Sequence, residues 1–187
     1  MKQHSSIPTF LWYGPSLTGI SYLIILLLLI LLPVDPRNTQ IGDTIFCIGQ
    51  VGVLCCMLLM HKLHLNGQGS WKKFCLFIPV CGALSYTLGV ISMHTGSPVI
   101  LFFPTGAFLT GLGMLIVGIQ VVRAGKLKQW KRFAPLLVGL YPFVFMFPIV
   151  IITGSPNIHV IMLWGITWAV MGYVMLMELY GWKKVMR

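Results

Sequence analysis

The sequence predicts an all-α integral membrane protein: six transmembrane helices arranged as three tandem helical hairpins, parallel repeats of about 59 residues, with both termini cytoplasmic. Three observations predict it. Charged residues make up only 9% of the 187-residue chain, whereas a soluble domain carries about 25%. The apolar residues fall into six long runs separated by short connections. And landmarks recur: "WKKF" at Trp71 and "WKRF" at Trp130 are 59 apart, and "TGSP" at Thr95 and at Thr153 are 58 apart.

The six runs are Leu17–Val34, Ile41–Met60, Phe74–Met93, Val99–Val122, Phe133–Ile152 and Ile158–Leu179. Each reaches about 18 residues or more, enough for a helix rising about 1.5 Å per residue to cross a hydrocarbon core about 30 Å thick. Lipid cannot satisfy backbone polar groups, so spanning segments are helices or closed barrels. Barrel strands alternate polar and apolar residues, and "SYLIILLLLILLPV" does not alternate. The first run is expected to be a retained helix. Its core is long for a signal peptide, and "LLPVDPRN" lacks a small-x-small cleavage pattern.

Charge sets the expected orientation. The net charge is +10, and 12 of the 13 basic residues fall at the two ends or in the second and fourth connections. Arg37, beside Asp35, is the exception. Short basic loops stay cytoplasmic, which puts the N- and C-termini inside and both "TGSP" turns outside. The expected location is the plasma membrane, with the basic loops against anionic headgroups of the inner leaflet. The same distribution argues against nucleic acid as a partner.

The hairpin units then span approximately residues 12–70, 71–129 and 130–187 of one transmembrane domain. Each begins with Trp at the inner interface, where an apolar ring in lipid and an N–H at headgroup level both suit indole. "TGSP" supplies turn chemistry. Thr-Gly ends one helix, with Gly tolerating a left-handed backbone. Ser97 and Ser155 are expected to cap the next helix, and Pro98 and Pro156 to occupy its first position. Asp35–Pro36 offers the same device in the first unit. Small residues at helical spacing, Gly82, Ser85, Gly89 and Ser92 on helix 3 and Gly106, Thr110 and Gly113 on helix 4, predict close helix contacts.

Chemistry-bearing residues are sparse. The acids are Asp35, Asp43 and Glu178, each near a helix end. No carboxylate, Lys or Arg is expected at mid-membrane, where proton relays and ion paths are built. No HExxH, GxSxG or Walker-type loop is present, so the sequence points away from an enzyme and implies no cofactor. His94 and His159 would both lie at outer helix ends, the one arrangement suggesting a haem or metal protein. The five cysteines, Cys47, Cys55, Cys56, Cys75 and Cys81, sit on helices 2 and 3 and read as small apolar packing residues.

The strongest hint of a cavity is proline. Helix 5 carries Pro135, Pro142 and Pro148, and kinked helices open space. Helix 6 stacks Trp164 and Trp168 one turn apart. A site for a small apolar or amphipathic ligand is therefore expected from Tyr141, Trp164, Thr167, Trp168, Tyr173 and Gln120. The leading expectation is a binding or transport module. The rival is a non-catalytic membrane subunit that assembles with itself or with a partner protein through its small-residue faces.

Overall fold

The computed structural model describes residues 8, 10–31, 40–67, 69–94 and 99–185. Expectations resting on Asp35, Pro36, Arg37 and the first "TGSP" copy, and on the side chains of Asp43 and His94, lie outside the described residues. The helices are α1 Phe10–Leu31, α2 Gln40–Lys62, α3 Ser70–His94, α4 Phe102–Ala124, α5 Ala134–Tyr141, α6 Phe147–Thr153 and α7 Ile158–Val185. A 3-10 turn over Gln129–Phe133 leads into α5, and a π-helical segment over Pro142–Met146 joins α5 to α6. These last pieces form one span. Among the described residues there are thus six helices long and apolar enough to cross a membrane, which makes this a multi-pass membrane protein.

Several helix boundaries differ from the expected runs; two starts and one cap show local reasons. α1 begins at Phe10 rather than Leu17 and contains both Gly14 and Pro15. These look like breakers in sequence but are contact residues. The Cβ of Cys55 occupies the space a side chain at Gly14 would need, and the Pro15 carbonyl oxygen lies 2.6 Å from where a Cβ on Gly172 would be. α4 begins at Phe102 rather than Val99, because residues 99–101 form a tighter turn, with the Phe102 N–H on the Val99 carbonyl at 3.1 Å. At the second "TGSP", Gly154 ends α6 in the left-handed conformation, φ 71°, as the turn chemistry requires. The expected cap is corrected: Asn157, not Ser155, caps α7. Its Oδ1 accepts the N–H groups of His159 at 2.9 Å and Val160 at 3.4 Å. Those are the second and third helical residues, the donors a cap side chain reaches. Pro156 consequently lies before the helix rather than at its first position.

Two helices carry most of the close packing. α1 lies antiparallel to both α2 and α7, and α4 lies antiparallel to both α3 and α5. Contacts between α2 and α3 and between α5 and α7 are sparser and complete a ring in the order α1, α2, α3, α4, α5, α7. The two dense hairpins share one clasp. A Cβ on Gly52 would lie 2.5 Å from Thr18 Oγ1 and 2.9 Å from the Gly14 carbonyl. A Cβ on Gly82 would lie 2.5 Å from Thr110 Oγ1 and 2.9 Å from the Gly106 carbonyl. A Gly-x-x-x-Thr helix presses on a bare glycine in both cases. In the first hairpin that helix comes first; in the second it comes second. Backbones approach this closely only where no side chain intervenes, and dispersion then rewards the contact. Part of the expected small-residue face of helix 3 serves this interface: Ser85 Oγ also donates to the Phe102 carbonyl at 3.2 Å.

Candidate ligand chamber

The site begins with a missing hydrogen. Pro142 has no backbone N–H, so the Val138 carbonyl four residues earlier loses its helical partner. Inside a membrane that oxygen needs another donor. Trp164 on α7 supplies one: its indole Nε1–H donates to the Val138 carbonyl at 2.9 Å. The backbone recovers over a wide turn in which the Phe147 N–H reaches the Pro142 carbonyl, five residues back. One turn nearer the second "TGSP", the Tyr141 hydroxyl donates to the Val160 carbonyl at 2.8 Å. At the other end of the seam, beside the 3-10 turn, Lys131 Nζ meets Glu178 Oε1 at 3.1 Å. The thinly packed α5–α7 seam is therefore pinned at three levels.

Holding Trp164 on that carbonyl turns α7 so that Trp164 and Trp168 face inward, 7% and 2% exposed. They border a small chamber. α1 contributes Tyr22, α2 contributes Phe46 and Gln50, α3 contributes Tyr86, and α7 adds Ile161, Met162 and Gly165. The free space is about 20 Å3, room for about one water molecule. Tyr22 lies against Gly165, where a Cβ would come within 2.6 Å of its ring. Gln50 Nε2 donates to the Tyr22 hydroxyl at 2.9 Å. Phe46 bridges the two tyrosines, its ring centroid 6.2 Å from that of Tyr22 and 5.5 Å from that of Tyr86.

The residues expected to form a site are only partly brought together. Trp164 and Trp168 line the chamber. Tyr141 stands outside it, on the α5–α7 seam. Thr167 Oγ1 donates back to the Trp164 carbonyl of its own helix at 2.7 Å. Tyr173 is 54% exposed on the outer face of α7. Gln120 lies toward the connection between α2 and α3, its Oε1 3.4 Å from Asn66 Nδ2, which also donates to the Lys72 carbonyl. Sequence reasoning missed Tyr22, Phe46, Gln50 and Tyr86. One signal for them was present: Gln50 is a carboxamide inside an otherwise apolar run, and a polar side chain at that depth must face a partner.

His159 is exposed at the start of α7. No group of three His, Cys, Asp or Glu side chains comes together among the described residues. None of the five cysteines forms a disulfide; Cys55, Cys56 and Cys75 are buried in the helix packing. The chain matches no protein-family model, and no curated protein and no solved structure is detectably similar to it.

Proposed function

We propose that this membrane protein binds a small apolar or amphipathic molecule in the chamber between α1, α2, α3 and α7, as a binding or transport module. One observation carries the proposal. An indole is well accommodated at a lipid interface, yet Trp164 and Trp168 are turned inward and leave a void between them and three more rings. Ligand pockets have this make-up, mostly apolar and aromatic walls with a few placed polar groups. The Gln50–Tyr22 pair is the polar part. With the chamber go the proposals from charge and repeat: inside termini, a plasma-membrane location, three hairpin units, and basic loops against anionic headgroups.

The test uses the purified protein in detergent. Small amphipathic compounds, neutral and cationic, are screened by thermal unfolding together with tryptophan emission. The expected result is a compound that raises the unfolding midpoint and shifts the emission, with both effects lost in Trp168→Phe and Gln50→Leu. Compounds that act equally on the wild type and on both variants are bound elsewhere, and that outcome overturns the proposal.

A further inference from the structure

We propose that the chamber selects a compact monovalent ammonium cation, ammonium itself or methylammonium, over neutral and anionic guests; this rests on the chamber being a binding site. The first argument is the sign of the walls. Tyr22, Phe46, Tyr86, Trp164 and Trp168 all border the space, and an aromatic face is the negative part of a ring quadrupole. A cation over such a face is attracted, more strongly where water is absent. The positive edge of Trp164 is withdrawn, because its N–H is committed to the Val138 carbonyl, which is not part of the wall. An anion would meet aromatic walls and, among the described residues, no charged donor.

The second argument concerns hydrogen bonds. An ammonium group carries several N–H donors and needs acceptors once desolvated. Gln50 and Tyr22, hydrogen-bonded to each other, both border the space and carry a carboxamide and a phenolic oxygen as acceptors. A quaternary ammonium has no N–H and could not use them. The third argument is size. About 20 Å3 of space suits a guest of one or two heavy atoms. A tetramethylammonium ion would have to part Phe46 from Tyr86, whose ring centroids are 5.5 Å apart.

Among the described residues the wall contains no Asp, Glu, Lys, Arg or His. None of these described side chains repels a cation by its charge, and none is a carboxylate that would trap one. Burying a charge without a counter-charge is costly, so the expected affinity is weak, on the order of millimolar, with rapid exchange.

The experiment titrates the purified protein with methylammonium chloride and, in parallel, with methanol, its neutral counterpart of equal heavy-atom count. Ionic strength is held constant with sodium chloride. Tryptophan emission is followed, and bound radiolabelled methylammonium is counted by equilibrium dialysis. Saturable methylammonium binding is expected, displaced by ammonium but not by sodium or tetramethylammonium. Phe46→Leu and Gln50→Leu should each weaken it by about threefold or more, the loss of one face or one acceptor. Gln50→Glu should tighten it as pH rises, since an ionised carboxylate supplies the missing counter-charge. Methanol binding as well as methylammonium would overturn the cation proposal and leave the chamber as a binding site. Methylammonium binding that is unchanged in all three variants would place the cation elsewhere and overturn the proposal. Absence of methylammonium binding would overturn it too, while a neutral ligand found by the thermal screen would still support the chamber.

Discussion

Replacing Trp164 by Phe tests whether the indole is there to serve a carbonyl orphaned by proline. The substitution keeps an aromatic ring but removes the Nε1–H that meets the Val138 carbonyl at 2.9 Å. An acceptor left unsatisfied in a buried, apolar setting costs about 1–3 kcal/mol. For a chain of this size each 1 kcal/mol lowers the unfolding midpoint by roughly 2–4 °C. The midpoint of Trp164→Phe in detergent should therefore fall by roughly 2–12 °C. A second substitution makes the argument specific. Pro142 has helical dihedrals, φ −57° and ψ −39°, so Pro142→Ala puts a backbone N–H where it can reach the same carbonyl. Trp164→Phe should then cost much less, with a coupling of about 1–2 kcal/mol in the double-mutant cycle. The cycle subtracts the packing lost when the Pro142 ring leaves Gly111. Additive effects, with no measurable coupling, would refute the link between the proline and the tryptophan.

Asn157→Ala should weaken the start of α7 by about 0.5–2 kcal/mol, the usual cost of losing a cap; Ser155→Ala should leave the unfolding midpoint within error. Gly52→Ala and Gly82→Ala should each destabilise by at least about 1–3 kcal/mol, because the new methyl would overlap Thr18 or Thr110 and the backbone beside it. Gly181→Ala, with nothing within 4 Å, should be neutral or slightly stabilising by the same thermal assay. In a background without the native cysteines, a cysteine at Ser155 should react with an impermeant thiol reagent in intact cells, and one at Lys128 should not. The opposite labelling pattern would reverse the proposed orientation.

Helix number and approximate position were legible because they depend on run length and composition, which any window along the chain reports. The left-handed Gly154 and the contact face of α3 were legible for a related reason: each depends on one residue type at a fixed local spacing. What a lipid-embedded helix turns inward was much less so. A helix apolar all round has no polar face to orient it, so nothing within α7 separates inward Trp168 from outward Tyr173. Their directions are set by Val138, on a different helix, and ultimately by Pro142. Tyr22, Phe46 and Tyr86 were missed because each is an ordinary aromatic in its own run and becomes a wall only when three helices meet. Gly14 and Pro15 lie before the apolar run that set the expected start of α1. Local propensity says helix-breaking, while Cys55 and Gly172 pack on them from outside.

The ring of helices has an order of assembly written into it. α1 leaves the ribosome before α7, yet α7 is one of its two close neighbours. Until α7 arrives, α1 can engage α2 through Gly14 and Thr18, while the side that will meet Gly172 and Ala169 faces lipid or a chaperone. α3 and α4 meet in the order they are made, and α5 follows directly. The bundle is thus closed last along α1–α7, by the helix that also carries both chamber tryptophans and the partner of the orphaned carbonyl. An unfinished chain has no chamber.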